Sequence, residues 1–467
     1  MKKLLLTVAL AAIGLAQMQA QLTRSDEFHK KYTLSEVVVF SRHNIRAPLA
    51  EPGSFISQVT PYEWHDFRVP TQDLTMKGGV LETINGQFFH QWVVSEGLFA
   101  EDAVPSSDEL YVMSNSKQRT IATARYFAAG FMPMQTITVN HEGNVGDADS
   151  NFNMLLNSDL TEDDWKQIRH EYDSISADNY CYKYCEALKP TFELLETVID
   201  AKNSELYKAG TFTGFNDYNT TIVYDPGEEP TITGSLNDAV KVADALVLQY
   251  YEEPDAQKAA FGQTLTEDQW RALAKLIHDR DAMRFGSPFV SNYVSRRQRN
   301  ILADELQNNS RKFFYMCGHD TNILNILKSM KVTAYTAPEA IESGTPIGSK
   351  IVFEKWTDAS GNEYVGVNHV YQSLSELRNN TMLNADTKPC IIPLQFEGMT
   401  QNADGLYTLQ DMVERLTSAY TPTSVQGVKA ADAADASASR AEYTVEGTPA
   451  TEAYNGVRIK DGKKHIR

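Results

Sequence analysis

Two arginines bracket a histidine in the run Ser41-Arg42-His43-Asn44-Ile45-Arg46-Ala47-Pro48. Guanidinium presents paired donors that match phosphate oxygens, so Arg42 and Arg46 beside the imidazole of His43 make a site for a dianion with a nucleophile already in place. A second candidate group is Asn115-Ser116-Lys117-Gln118-Arg119-Thr120, which opens a helical pattern. Arg119 falls in its first turn, where free backbone N–H groups favour an anion and the helix dipole disfavours a cation unless an anion is bound. The third group is Gly318-His319-Asp320-Thr321-Asn322. Gly318 permits a sharp turn, His319 can donate to a phosphate oxygen, and Asp320 stands at the start of a helix expected from Ile323 to Lys328. Asp320 can equally serve as a simple N-cap, unless Thr321 caps in its place.

These groups need a frame that brings them together. Residues 35–40, 110–114 and 312–317 are short apolar runs rich in β-formers, and each passes through a polar segment into a helical pattern. Strand, turn and helix repeat as in an α/β sheet, whose ligands gather beyond the carboxyl ends of the strands. Extended stretches at 349–356, 363–371 and 391–396 have little helix between them and read as antiparallel strands added to that sheet. The expected fold class is therefore α/β, a mixed sheet with helices on both faces, carrying an inserted all-helical domain. Trp165, Ile168 and Tyr172 share one helix face behind Thr161. Thr266 and Gln269 form a capping box ahead of Trp270, Leu273 and Ile277, and Leu236, Val240, Ala243 and Val247 mark another helix. The expected boundaries are 21–150 with 296–420 for the discontinuous α/β domain and 151–295 for the helical insertion. From Thr421 the chain turns to Ala, Ser, Thr and Asp without apolar periodicity, which predicts a flexible tail over 421–467 ending in a basic stub, Lys460 to Arg467.

Composition limits the partners. Of 467 residues, 42% are hydrophobic and 22% charged, the balance of a globular protein. Lys and Arg number 43 against 61 Asp and Glu, a formal charge of -18 that repels nucleic acid and anionic membrane surfaces. An anionic substrate must then be held by a few cations focused in a cleft. Lys2 and Lys3 precede an apolar run from Leu4 to Ala16, and Ala20 stands before Gln21, the pattern of a secretory signal peptide over residues 1–20. That run is too short for a membrane span, so the protein is expected to be exported. Cys181 and Cys185 lie four apart in a helical pattern, and Cys317 and Cys390 are distant, so buried thiols are favoured over disulfides. Neither Cys-x-x-Cys nor His-Glu-x-x-His occurs, and no metal site is expected.

Arg-His-x-x-Arg-x-Pro with a distant Gly-His-Asp resembles the histidine acid phosphatases of the histidine phosphatase superfamily, branch 2. The segments SRHNIRAPL (41–49), LTMKGGVLE (74–82), NSKQRT (115–120), GHDTNI (318–323), TPIGSKIVFEKW (345–356) and VYQSLSELRN (370–379) look like its periplasmic glucose-1-phosphatase branch. The resemblance runs from about Ser35 to Leu416. It implies His43 as a nucleophile that becomes phosphohistidine, Asp320 as proton donor, and Arg42, Arg46, Arg119 and His319 as phosphate ligands, with no metal or cofactor. It further implies an acid phosphomonoesterase acting in the periplasm on a small molecule such as glucose 1-phosphate, in a branch that includes homodimers. Asn44 and Leu49 stand where the phytase branch carries Gly and Thr, which favours a sugar phosphate over the alternative, an inositol polyphosphate. A non-catalytic phosphosugar-binding protein has no use for His43 and Asp320 together.

Overall fold

The computed structural model describes residues 24–176, 180–215 and 219–420, together with short strands between 443 and 466. The described residues through Tyr420 form one compact unit. The candidate signal peptide lies outside the described residues.

The elements that carry the site are, in chain order, β1 (Tyr32–Arg42), α1 (Met76–Ser95), β2 (Leu110–Ser114), α2 (Gln118–Phe131), β3 (Val139–Asn140), α3 (Glu162–Ser176), β4 (Thr221–Val223), β5 (Thr231–Thr233), α4 (Ser235–Glu252), α5 (Glu267–Arg284), α6 (Pro288–Leu306), β6 (Phe313–Gly318), α7 (Asp320–Ser329), β7 (Lys350–Asp358), β8 (Glu363–Tyr371), β9 (Cys390–Pro393), β10 (Tyr407–Thr408) and α8 (Leu409–Thr417). The main sheet runs β10-β8-β7-β1-β6-β2-β3, with β9 also paired to β8. Strands β1, β6, β2 and β3 are parallel, whereas β7 to β10 are antiparallel additions, so the expected mixed sheet is present.

Alternation along β1 explains why helices cover both faces. Val37 and Val39 point into a core built with Phe88 and Phe89 of α1 and Phe127 and Phe131 of α2. Val38 and Phe40 point the other way, toward Leu302 of α6, Ile323 and Ile326 of α7 and Met412 of α8. Two glycines let α1 and α2 approach closely. A Cβ on Gly86 would lie 2.1 Å from the Phe127 carbonyl oxygen, and one on Gly130 would lie 2.2 Å from that of Thr83.

The structure adds three details to the sequence reading. The expected helical insertion also carries a hairpin of β4 and β5. Its expected end at residue 295 falls inside α6, which packs Leu302, Ala303 and Leu306 under the sheet. Helical periodicity reports that a face is buried but not which layer buries it. The expected flexible tail contains strands β11 (Tyr443–Thr444), β12 (Val457–Lys460) and β13 (Lys463–Ile466), which pair as an antiparallel sheet. Its Ala- and Ser-rich part lies outside the described residues. No described helix is long and apolar enough to cross a membrane. The four cysteines are thiols and not disulfides, and three of them are buried.

Candidate active site

Three parallel strands stop at one level. The register pairs Arg42 with Gly318 and Ser114 with Cys317, so the segments after β1, β2 and β6 emerge side by side at the carboxyl edge of the sheet. Backbone hydrogen bonds continue the alignment one residue further, from His43 N to Gly318 O at 3.0 Å and from Asn115 N to Cys317 O at 2.9 Å. Arg42, His43, Arg46, Arg119, His319 and Asp320 consequently line a single cavity of about 350 Å³. Every residue singled out for chemistry in the sequence is brought into it.

The orientation of His43 follows from one hydrogen bond. Its Nδ1 lies 2.8 Å from the Asn44 carbonyl oxygen, which can only accept. Nδ1 therefore carries the proton, and in the neutral ring Nε2 keeps its lone pair. Burial, together with the charges of Arg119, His319, Arg42 and Arg46, holds the His43 pKa well below its usual value. The His319 ring stands edge-on to it, with centroids 5.4 Å apart, and burial with the same arginines lowers its pKa to about 3.

The guanidinium groups differ in their partners. Arg42 contacts Asp320 at 3.0 Å and Glu342 at 3.2 Å, and donates to the Thr345 carbonyl. Arg46 donates to Asp244 on α4 at 2.8 Å. Arg119, at the start of α2, forms no ion pair among the described residues, and its Nε is buried without a partner. Burial and the nearby Arg46 lower its pKa to about 10. A desolvated cation of this kind is stabilised by an anion.

Asp320 is the first residue of α7, and His319 occupies the N-cap position. Neither Asp320 nor Thr321 is the cap, contrary to both sequence alternatives. The side chain of Asn322 reaches back to His319 N at 3.0 Å instead. Asp320 is thus free to face the cavity, where its Oδ1 accepts from Thr321 N at 2.8 Å. Burial opposes its ionisation, but Arg42, His43 and His319 outweigh burial and hold the carboxyl well below the ordinary range.

Sequence reasoning missed the second wall of the cavity. Lys241 and Asp244 of α4 and Arg280 and Arg284 of α5 line it, and Lys117 lies beside Arg119. Arg280 pairs with Asp281 at 2.9 Å, and Arg284 pairs with Glu229 at 3.0 Å. The four-residue spacing of Arg280 and Arg284, which puts both on one helix face, was the available signal. For Glu342, in a loop, no local pattern existed. Its carboxyl accepts from Tyr251 Oη as well as from Arg42. Leu49 borders the cavity and is largely exposed.

A model for the histidine phosphatase superfamily (branch 2) matches residues 33–371. The chain is 32% identical over 415 residues to a glucose-1-phosphatase of Salmonella typhimurium, spanning 88% of this chain and 97% of that protein. A glucose-1-phosphatase of Providencia rettgeri is 29% identical over 425 residues, spanning 90% and 99%. Among solved structures, apo Hafnia alvei phytase matches with a TM-score of 0.74 at 25% identity, covering 83% of this chain and 97% of that one. The chain belongs to the histidine phosphatase superfamily, branch 2. It is a phosphomonoester hydrolase of that family.

Proposed function

We propose that the protein hydrolyses sugar phosphates such as glucose 1-phosphate through a phosphohistidine on His43. The observation that carries this reading is the Nδ1 contact to the Asn44 carbonyl, which leaves the Nε2 lone pair of a depressed-pKa imidazole for a cavity that Arg42, Arg46 and Arg119 line together with Arg280 and Arg284. In the first step Nε2 attacks phosphorus, the bond from phosphorus to the sugar oxygen breaks, and that oxygen takes a proton from Asp320. In the second step water attacks the phosphohistidine, its proton passes to the Asp320 carboxylate, and the bond from phosphorus to Nε2 breaks. Arg42, Arg46, Arg119 and His319 stabilise the charge on the equatorial oxygens throughout.

Asp320 must gain a proton before it can give one. In the free protein Arg42 holds it ionised. A phosphate bound to Arg42 removes part of that counter-charge and puts anionic oxygens beside the carboxyl, and both effects raise its pKa. Acidic conditions favour the protonated form, in keeping with an acid phosphatase exported to the periplasm.

The relatives named glucose-1-phosphatase and the apolar Leu49 at the cavity mouth support a small sugar phosphate. The alternative substrate, an inositol polyphosphate, is favoured by one observation, the additional cations Lys117, Lys241, Arg280 and Arg284 around the cavity. Homodimerisation belongs to the same proposal and is read by the mass of the purified protein in solution.

Two measurements test the assignment. Quenching during turnover with labelled substrate is expected to leave alkali-stable phosphate on the peptide containing Ser41 to Arg46. Label on the peptide bearing His319, or an active His43→Ala, overturns the role of His43. Turnover of glucose 1-phosphate, phytate and an aryl phosphate by the purified protein then ranks the substrates, and a marked preference for phytate replaces the first reading by the second.

A further inference from the structure

Beneath the nucleophile lies a charged pair that takes no part in the steps above. The side chains of Glu82 on α1 and Lys350 on β7 are 0% and 1% exposed, and Nζ of Lys350 lies 3.1 Å from both carboxylate oxygens. Removing two charges from water is costly, and apolar residues of the same volume commonly fill such a place at least as well. What distinguishes this pair is its contact with Asn44. The Asn44 Nδ2 donates to Glu82 Oε1 at 2.7 Å, its Oδ1 accepts from Ile45 N at 2.8 Å, and its backbone N donates to Thr123 Oγ1 of α2 at 3.2 Å. The residue whose carbonyl sets the His43 tautomer is therefore gripped by its side chain and by its backbone.

The loop before β7 is shaped around the same contact. Lys350 Nζ also donates to Gly348 O at 2.8 Å, and Gly348 N donates to His43 O at 3.2 Å. Gly348 has φ +68°, and a Cβ there would lie 2.5 Å from Asn44 Nδ2 and 3.2 Å from Glu82 Oε1. The backbone has room for the asparagine amide and the carboxylate only because glycine occupies that position.

We infer that Glu82 and Lys350 are positioning residues that lock the Asn44 carbonyl against His43 Nδ1, and so keep the Nε2 lone pair of the nucleophile aimed at phosphorus. The inference rests on His43 being the nucleophile. Without the carboxylate, the Asn44 side chain keeps only its local hydrogen bond from Ile45 N, which a loop can exchange. Anchoring its amide on a buried carboxylate, neutralised by a lysine two residues from Gly348, couples the tautomer to the packing of α1 against the sheet.

The test compares two neutral double variants of the full protein. E82M/K350M replaces the pair by apolar side chains of similar volume and takes the acceptor from Asn44. E82Q/K350M returns an oxygen to Asn44 without the charges. For E82M/K350M we expect kcat to fall roughly tenfold to hundredfold with KM little changed, the usual effect of losing a supporting shell. The ¹⁵N spectrum of labelled histidine should show His43 shifting from the pure Nδ1–H form to a mixture of tautomers, and E82Q/K350M should recover most of both. A folded E82M/K350M with wild-type kcat and an unchanged His43 tautomer overturns the inference. Should the double variants not fold, Asn44→Ala, which leaves the ion pair intact, is expected to show the same loss of kcat and the same mixed tautomers, and wild-type behaviour there also overturns it. The spectrum reads the ring without turnover, so it is independent of the trapping experiment. Phosphate label away from His43 defeats the nucleophile assignment, whereas label on His43 with an indifferent tautomer defeats only the positioning role.

Discussion

At the scale of single residues, the site concentrates positive charge that the chain as a whole lacks. Arg119 is the clearest case, because a half-buried guanidinium with no ion pair among the described residues and a buried, unpartnered Nε is stabilised chiefly by what binds beside it. Arg119→Ala is expected to lower kcat/KM by about 2 to 4 kcal/mol of transition-state stabilisation while the protein stays folded. Near-wild-type turnover in that variant would return Arg119 to the role of an ordinary surface cation. Asp320 is tested through the leaving group. A sugar alkoxide needs a proton in the transition state, and an activated aryl oxide does not. Asp320→Asn is expected to slow phosphorylation by sugar phosphates about a hundredfold or more and to spare an activated aryl phosphate. Equal losses for both, in rapid-mixing measurements, would make Asp320 a positioning group and put the acid elsewhere.

At the scale of elements, the groups lining the cavity inherit their positions from packing contacts some distance away. Arg119 projects from the start of α2, whose height above the sheet is set by its crossing with α1 at Gly86 and Gly130. The obstacle at Gly86 is the backbone of Phe127, which cannot swing aside as a flexible side chain can. Gly86→Ala should therefore force the helices apart, destabilise the protein by about 1 to 3 kcal/mol and reduce activity by shifting Arg119. Urea unfolding and kcat/KM measured on the same preparation check it, and an unchanged midpoint would mean that the crossing has slack. The sequence reading expected a helical pattern after each strand and did not reveal this contact. A glycine within a helix signals a close approach without naming the element that approaches.

At the scale of the whole molecule, buried histidines tie stability to pH. His369 on β8 packs between Tyr335 and Tyr371 with neither ring nitrogen hydrogen-bonded among the described residues, and burial lowers its pKa to about 3. His319 is lowered to the same level. An unfolded chain protonates these rings near pH 6.5 and the folded one only near pH 3, so the unfolded state binds more protons within that window. Stability is accordingly retained above pH 6.5 and lost as pH falls toward 3. Each ring contributes up to about 1.4 kcal/mol per pH unit in the middle of the window. His369→Leu should remove one such contribution, so that its stability relative to the parent improves steadily between pH 6.5 and pH 4. A pH-independent difference between the two proteins in urea titrations would show that the ring is already charged in the folded state. His43, lowered by burial and its neighbouring cations, stays neutral well into the acid range, as the proposed nucleophile must if it is to act there.

What the sequence determined by itself is what is contiguous along it. A parallel strand that ends at the sheet edge hands its next few residues to the site, so Arg42, His43 and Arg46, then Arg119, then His319 and Asp320 were legible as runs, and the runs of apolar residues before them disclosed the strands. The layer of α6, the hairpin of β4 and β5 and the strands in the C-terminal segment were not legible, because a buried face does not name its partner and strands of two to four residues are too short for a periodic signal. Only the tertiary structure decided that Asp244 meets Arg46, that Glu342 and Tyr251 stand behind Arg42, and that Glu82 and Lys350 grip Asn44. Each of these contacts joins residues far apart in the chain through the way helices and loops pack on the sheet, and no spacing rule along the sequence encodes that distance.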